Sequence, residues 1–352
     1  MAINLATKYS DKIQTRFTHE SYIAGKVSQE YEFTGVKGIK VYTPTTVPMN
    51  DYNRTATGNR YGTPVEMQDT VQDLIMSQDK SFSLTIDKGN NTEQMMIKNA
   101  GKMMNLQQKE QIVPMVDRYA FGRYIQMAGT VGGASAKPTK SNIVEMIADG
   151  AQALDDNQVP DEGRYIAVTA EMYKLLKLSP EFLGLEKLGE QALGKGVVGE
   201  IHGMKVVKVP TSYLPADCYF LIWHKSAVIL PYKIKDAKIH EDPPGISGAL
   251  LEGRNLYDAF VLGAKAYGLY ACVLSTKKVA TPTSSFATNE CTLSCTTGSA
   301  TMYYTVDGTD PRYSSTRLPY TAKFGTTAGQ VIKAYAEKAD MYASDVMVST
   351  AT

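Results

Sequence analysis

The sequence predicts an α+β body followed by a smaller all-β sandwich at the C-terminus. Residues 165–168 form an apolar run that leads directly into a helical pattern, and residues 196–210 have the alternation and glycines of a hairpin. The third observation is a change after residue 278, where helical periodicity ends and short alternating runs recur at the spacing of a β-sandwich. A chain of 352 residues is long enough for two or three such domains.

Composition is that of a globular protein, with 43% apolar and 21% charged residues. The 37 basic and 36 acidic side chains nearly cancel, whereas a dedicated nucleic-acid binder has a strong basic excess. The start of the chain lacks the apolar run of a signal peptide, and His224 and Lys265 interrupt the two most apolar segments. We therefore expect neither export nor a membrane partner.

Residues 1–30 are predicted to be an N-terminal arm, and residues 31–90 an extended loop. The arm has scattered aromatics without periodicity, so it needs a surface to lie on. Within the loop, residues 38–43 and 81–87 alternate between apolar and polar types and are separated by turn-rich residues. We predict that these two runs pair as a long exposed hairpin. An isolated two-stranded ribbon is marginally stable, so its apolar residues need another surface beneath them.

Residues 91–278 are predicted to be the body. Its first part, residues 92–128, has a helical pattern with Met96, Met103, Leu106 and Val113 along one face. Pro114 lacks an amide donor, so the helix is expected to kink or restart there.

A second amphipathic helix is predicted after a glycine-rich link, with Asn142 as its cap and Glu145 reciprocating. Its inward face is expected to carry Ile143, Met146, Ile147, Ala151 and Leu154. Further along, Thr169 is expected to cap the helix that follows the strand at 165–168. In the hairpin at 196–210, Met204, Val206 and Val209 are expected to face inward, flanking exposed lysines.

Three segments in this order resemble the core of the major capsid proteins of tailed bacteriophages, which have the Hong Kong 97-type fold. They are residues 163–176, the hairpin at 196–210, and residues 111–120, whose proline is usual in the spine helix of that family. The resemblance extends over roughly residues 1–275. It implies an arm and an extended loop that lie across a neighbouring subunit. The expected inter-subunit contacts are Arg54, Arg60, Phe82, Leu84 and Ile86.

Residues 279–352 are predicted to be an immunoglobulin-like domain. Residues 302–306, 330–336 and 345–348 are its clearest strands, and Asp307-Gly308 and Asp310-Pro311 supply turns. The run 303–311, the later Lys-Ala-Tyr-Ala and the closing Ser344-Asp345 resemble the C-terminal module of chitobiases and many bacterial surface proteins. The module is an accessory in those enzymes, so no activity follows from it. Tyr303, Tyr304 and Tyr335 either stack on sugars or, as is commoner for strand tyrosines, fill the core.

No motif predicts catalysis, a cofactor or a metal site. Residues 194–199 satisfy the pattern G-x-G-x-x-G, but a helix-like stretch precedes them and a strand follows, the reverse of a dinucleotide site. Asp307 and Asp310 provide too few oxygens for calcium. Neither the histidines nor the cysteines have metal-ligand spacing. These residues are His19, His202, His224, His240, Cys218, Cys272, Cys291 and Cys295.

Together these observations favour a structural protein that assembles. The resemblance implies hexamers and pentamers in the icosahedral head of a tailed phage, assembled in the bacterial cytoplasm around non-specifically held double-stranded DNA. Scaffold, portal or decoration proteins and host-surface glycans are further expected partners. The sandwich is expected on the exterior, and deletion after Lys278 is expected to leave particles intact. A nanocompartment shell protein and a glycan-binding surface protein remain as alternatives.

Overall fold

The computed structural model describes residues 20–31, 33, 38–44, 46, 49–64, 66–67, 69–93, 99–179 and 197–351. Within these residues it has a mixed α+β body and an all-β C-terminal unit, in agreement with the predicted fold class. The predicted positions Met96 and Gly194 and most of the predicted arm lie outside the described residues.

The body begins with three strands, three helices, one further strand, a helix and a strand–helix pair. These are β1 (Gly38–Pro44), β2 (Asp69–Ile75), β3 (Gln78–Asp87), α1 (Lys88–Glu93), α2 (Ala100–Gln107), α3 (Val113–Gln126), β4 (Thr130–Ala134), α4 (Ile143–Asp156), β5 (Arg164–Thr169) and α5 (Ala170–Lys177). The rest of the body is formed by β6 (Val197–Ile201), β7 (Met204–Val209), β8 (Cys218–His224), β9 (Val228–Ile229), β10 (Tyr232–Glu241), β11 (Gly248–Tyr257), β12 (Phe260–Val261) and β13 (Leu269–Leu274).

A six-stranded sheet in the order β4-β13-β8-β5-β7-β6 forms the centre of the body. All seven residues of β8 are buried, because both faces of the sheet are covered. Leu221 and Trp223 face a cluster that includes residues of α3. Phe220 and Ile222 face the opposite cluster, which includes residues of α4 and α5. Alternate side chains of one strand thus belong to two cores, which explains its continuous apolar sequence.

The strand–helix pair and the hairpin form as the sequence predicts. The Thr169 side chain accepts a hydrogen bond from the Met172 amide at 3.3 Å and so caps α5. Strands β6 and β7 are antiparallel, and His202 and Gly203 between them both have positive φ, as a tight two-residue turn requires. On β7, Met204 and Val206 are almost fully buried.

The helical region restarts near Pro114, as predicted. A five-residue π-helix, Gln108–Ile112, separates α2 from α3, and Pro114 lies in the first turn of α3. The wider turn changes which side chains point inward. Met104, Ile112 and Val116 are buried, whereas the predicted Met103, Leu106 and Val113 are only partly buried. The observed apolar face therefore differs from the predicted one, and the π-helix changes the helical register between Met104 and Val116.

The predicted capping box of α4 does not form. Asn142 occupies the cap position, but its Oδ1 accepts hydrogen bonds from the Thr139 amide at 2.7 Å and hydroxyl at 3.0 Å. The side chain therefore closes the preceding turn instead of capping the helix. The inward face is as predicted for Ile143, Ile147 and Leu154, each with no exposed surface.

The predicted pairing of the extended loop is wrong. β1 pairs with β2, from Gly38 opposite Ile75 to Pro44 opposite Asp69. β3, which contains the predicted strand at 81–87, instead pairs with β11 in a three-stranded sheet of order β10-β11-β3. The sequence pattern of β2 was missed because its two aspartates and one glutamine weaken the alternation.

The described end of the N-terminal arm lies on the chain's own body. Ile23 is fully buried, and the Tyr22 amide donates to Asp117 Oδ2 on α3 at 2.8 Å. The Ser28 amide donates to the Val228 carbonyl at 2.8 Å. For residues 20–28 the expectation that a neighbouring copy supplies the missing surface is therefore wrong, because the molecule supplies that surface itself.

The C-terminal unit contains two sheets. Its strands are β14 (Thr283–Ala287), β15 (Glu290–Ser294), β16 (Thr301–Thr305), β17 (Leu318–Pro319), β18 (Phe324–Gly325), β19 (Val331–Glu337) and β20 (Met347–Thr350). One sheet has the order β14-β15-β18 and the other β17-β16-β19-β20. Cys291 and Leu293 from the first and Ile332 and Ala334 from the second form one core. This is the sandwich that the alternating runs predict.

Candidate assembly surfaces

The hairpin of β1 and β2 ends in an exposed but internally bonded tip, residues 49–64. The Asn53 amide donates to the Arg60 carbonyl at 3.0 Å, and the rings of Tyr52 and Tyr61 meet edge to face at 5.0 Å. Asn53 Oδ1 also accepts from the Thr55 amide at 3.0 Å. The Asn53–Arg60 bond and the ring contact connect the two sides of the tip to each other.

Apolar side chains are concentrated on this hairpin and its tip. Tyr61 is 84% exposed and Met49 completely exposed. Clusters of large exposed apolar side chains are typical of protein–protein contact surfaces, so this cluster is a candidate contact surface. The other large apolar side chains exposed here are Tyr42, Tyr52, Met67 and Ile75.

The base of the hairpin is fixed to the body. Leu74 is buried in a cluster that also contains Phe260 and Leu262. Gln72 bonds the body through both ends of its amide: Nε2 donates to the Val261 carbonyl at 2.9 Å, and Oε1 accepts from the Gly263 amide at 2.8 Å. The base of the hairpin is therefore attached to the body, whereas its tip is exposed.

The five predicted inter-subunit residues fall in two places. Arg54 and Arg60 lie on the exposed tip, and Arg60 Nε donates to the Ala56 carbonyl at 2.9 Å. Phe82, Leu84 and Ile86 lie on β3, and they pack in a cluster with residues of α2 and β11. Their contact with another subunit stays a prediction. Their own chain covers much of the apolar surface of these three residues, and Ile86 is buried by it.

The three tyrosines proposed to stack on sugars are mostly covered. Tyr304 is buried and stacks on Phe324 with ring centroids 3.9 Å apart. Tyr335 is 3% exposed, and its hydroxyl donates to Glu337 at 3.1 Å. Only Tyr303 is partly exposed, and the Arg317 guanidinium lies 4.9 Å from its ring centroid. The core interpretation of strand tyrosines therefore holds for Tyr304 and Tyr335.

The described residues hold no group of three or more histidine, cysteine or acidic side chains arranged for a metal. Burial raises the pKa of the Cys272 thiol to about 12, and it raises the pKa of Cys218 still further. Both thiols are therefore protonated and unreactive at neutral pH. Asp307 closes its turn by accepting from the Thr309 amide at 3.0 Å.

The described part of the G-x-G-x-x-G run lies in a strand. Its last three residues belong to β6, and Gly199 is followed by the rest of that strand, not by a helix. His240 and Glu241 lie at the end of β10, beside the turn that leads to β11. The sequence Pro-Pro-Gly at 243–245 follows, and this segment forms an exposed turn. In the part of the chain that the structure describes, no helix is both long and apolar enough to cross a membrane.

The fold is similar to chains from solved phage structures. A chain of the capsid of cyanophage P-SCSP1u is 14% identical with a TM-score of 0.62, and the match covers 76% of this chain and 92% of that chain. A chain of the mature capsid of bacteriophage PhiM1 is 13% identical with a TM-score of 0.60, over 78% and 92%. A chain from Mycobacterium phage Che8 is 20% identical with a TM-score of 0.57, over 77% and 98%. The chain therefore has a phage capsid fold.

The C-terminal unit matches a different family. Residues 281–349 fit the model of the chitobiase/beta-hexosaminidase C-terminal domain, which confirms the resemblance seen in the tail. No curated protein matches the sequence.

Proposed function

We propose that this chain is the major capsid protein of a tailed phage, a Hong Kong 97-type subunit that builds an icosahedral shell around double-stranded DNA. The observation that supports the proposal most directly is the fold, which matches capsid chains over about three quarters of this chain and nearly all of theirs. The role is structural, not catalytic.

The shape of the molecule suits assembly. The hairpin of β1 and β2 is attached to the body through Gln72 and Leu74, and the apolar side chains of its tip are exposed to solvent. When many copies form a closed shell, the hairpin tip of each copy is buried on a neighbouring copy. Arg54 and Arg60 on the tip add charged contacts at the edge of such an interface. Permanent assemblies bury thousands of square ångströms per subunit, so the hairpin contact is one contribution among several.

We assign the regions as the sequence divides them. Residues 1–30 are the arm, 31–90 the extended loop, 91–278 the shell body, and 279–352 the immunoglobulin-like domain on the outside of the particle. Hexamers and pentamers of the body form the shell in the bacterial cytoplasm. The net charge of +1 suits a container that holds DNA without binding it tightly. We also propose scaffold, portal and decoration proteins as partners of the shell. The sandwich is proposed to adhere weakly to host glycans through Tyr303.

Negative-stain electron microscopy of the purified chain, together with mass photometry, tests the proposal. Closed shells of megadalton mass are expected. A monomer that stays monomeric at high protein concentration, with and without a co-expressed scaffold protein, would overturn it. A shell that co-purifies with an enzyme and no DNA would instead favour the nanocompartment.

A further inference from the structure

We propose that the C-terminal sandwich is a fixed brace on the body, which holds the end of α3 and the open edge of the central sheet. The brace is built from the loop at 307–316, here called the clamp loop, and from the pair Lys278 and Asp345. This proposal concerns contacts within one subunit and goes beyond the assembly function.

The clamp loop donates hydrogen bonds to carbonyls at and directly after the C-terminal cap of α3, Met127. Arg312 Nη1 donates to the Ala128 carbonyl at 3.0 Å and to the Gly129 carbonyl at 2.8 Å. The Tyr313 hydroxyl donates to the Met127 carbonyl. Met127 is the C-terminal cap of α3, and Ala128 and Gly129 follow it, so these carbonyls have no partner within the helix. The negative end of the helix dipole also attracts a cation to this place. Arg312 of the sandwich therefore supplies the hydrogen-bond donor for the Ala128 and Gly129 carbonyls of the body.

The loop is pre-shaped for this contact. Asp310 accepts from the Arg312 amide at 2.9 Å, and its other oxygen accepts from Arg312 Nη2 at 2.7 Å. The Thr316 hydroxyl donates to Asp307 Oδ2 at 2.6 Å and closes the loop. The Arg312 side chain is only 7% exposed and that of Asp310 15%, so the ion pair is removed from water and geometrically constrained.

The body has a matching recess at Gly263. A Cβ atom placed on this glycine would lie 2.7 Å from Tyr313 Cβ, closer than two carbon atoms can pack. The missing side chain of Gly263 is therefore what lets the Tyr313 ring reach Met127. This complementarity comes from both sides of the contact.

A second contact covers the edge strand β4. Asp345 Oδ1 accepts from the Val131 amide at 3.0 Å, and Lys278 Nζ donates to the Val131 carbonyl and to Asp345. β4 is the outermost strand of the central sheet, and an edge strand leaves every second residue's amide and carbonyl unpaired. One ion pair thus satisfies both main-chain groups of Val131.

The two contacts act on one short segment. Residues 127–131 extend from the C-terminal cap of α3 into β4, and the sandwich binds the main chain at Met127, Ala128, Gly129 and Val131. A domain that hung from a flexible linker would make no such bonds. The sandwich therefore restrains the junction between the helix and the sheet.

Hydrogen–deuterium exchange on the full-length protein tests the brace. Gly263→Ala blocks the recess from the body side without altering the sandwich. From the other side, the double variant Arg312→Lys with Tyr313→Phe replaces the forked guanidinium by a single ammonium and removes the Tyr313 hydroxyl. Exchange of amides at 127–133 is expected to rise roughly tenfold in both variants, the factor that corresponds to one or two net hydrogen bonds. Amides of β19 should stay protected.

Two matched controls accompany these variants. Gly122→Ala adds a methyl group where nothing lies within 4 Å. Arg317→Lys with Tyr303→Phe alters another arginine–tyrosine pair of the sandwich, whose ring contact lies within that domain. Neither should change exchange at 127–133. Wild-type exchange there in Gly263→Ala and in the double variant would overturn the brace. The readout lies within the subunit, so it does not depend on whether shells form.

Truncation after Lys278 gives an independent test. The sequence-based expectation is an intact particle, whereas the brace predicts a body that melts at lower temperature and gives fewer particles. An unchanged melting temperature of the truncated body would count against the brace.

Discussion

Trp223 Nε1, in the central strand β8, donates a hydrogen bond to the main-chain carbonyl of Lys26 at 3.0 Å. The two residues are 197 positions apart in the sequence, and both are buried. This bond fixes the end of the N-terminal arm to the middle of the body. Four residues earlier in the arm, the Tyr22 amide donates to Asp117 Oδ2 on α3 at 2.8 Å.

Replacing Trp223 by Phe should loosen this attachment. The Phe ring keeps part of the apolar contact with Tyr165, but the Lys26 carbonyl loses its donor in a buried place. An unsatisfied buried carbonyl costs about 1–3 kcal/mol, so the free energy of unfolding should fall by about that amount. Urea unfolding followed by circular dichroism measures it. An unchanged unfolding midpoint would show that water replaces the indole.

Replacing Gly129 by Ala should destabilise the junction between α3 and β4. A Cβ atom there would lie 2.2 Å from the Ala266 carbonyl oxygen, which is main chain and cannot turn aside. We expect a loss of at least about 2 kcal/mol in unfolding free energy, as for other severe steric conflicts. Gly325→Ala is the control, because nothing lies within 4 Å of its added methyl group. Equal stability of the two variants would contradict the geometry.

Removing the tip tyrosines should impair assembly and leave the subunit folded. Tyr52→Ser with Tyr61→Ser deletes apolar surface that faces water in the free chain, so its unfolding free energy should change little. Buried aromatic anchors commonly contribute about 1 kcal/mol or more each to an interface, so the fraction of protein in shells should fall several-fold. Sedimentation through a sucrose gradient measures that fraction.

The control for the tip is Leu318→Ser with Val348→Ser, which removes comparably exposed apolar side chains from the sandwich. Its shell fraction should match that of the unaltered chain. Equal loss in both variants would indicate a general solubility effect, and no loss in the tip variant would argue against the tip as a contact.

Alkylation should distinguish the four cysteines. Cys218, Cys272 and Cys291 are buried and burial raises the pKa of each, whereas Cys295 is partly exposed. Iodoacetamide at pH 8 should therefore label Cys295 alone in the native protein and all four residues in urea. Mass spectrometry of the peptides identifies the sites. Rapid native labelling of Cys272 would show that the sheet opens readily.

The same thiols make stability depend on alkaline pH. In the unfolded chain a thiol has a pKa near 8.5, whereas in the folded protein that of Cys272 is about 12. The protonated thiol therefore contributes its full stability below pH 8.5, and that contribution is lost as the pH rises toward 12. The slope is about 1.4 kcal/mol per pH unit for each such thiol. Substituting Cys272 by Ala should reduce the decline between pH 9 and pH 11.

Local features of this protein follow from the sequence alone. The helix cap at Thr169, the tight turn at Gly203 and the restart at Pro114 each depend on residues within a few positions of one another. The strands of the sandwich follow from alternation, which fixes which side chains share a face. The division into an α+β body and an all-β tail needed no more than these patterns, and the resemblance to capsid proteins rested on them.

Only the tertiary structure decided which surfaces meet. Alternation shows that β3 has an apolar face, but not that it pairs with β11 instead of β1. Closing a long loop costs little more than closing a short one, so sequence distance does not choose the partner. The contact of Arg312 with the end of α3 spans 184 residues and depends on a recess at Gly263. The clamp loop and the recess at Gly263 fit each other only after both parts of the chain have folded. For this reason no local sequence pattern predicts their contact.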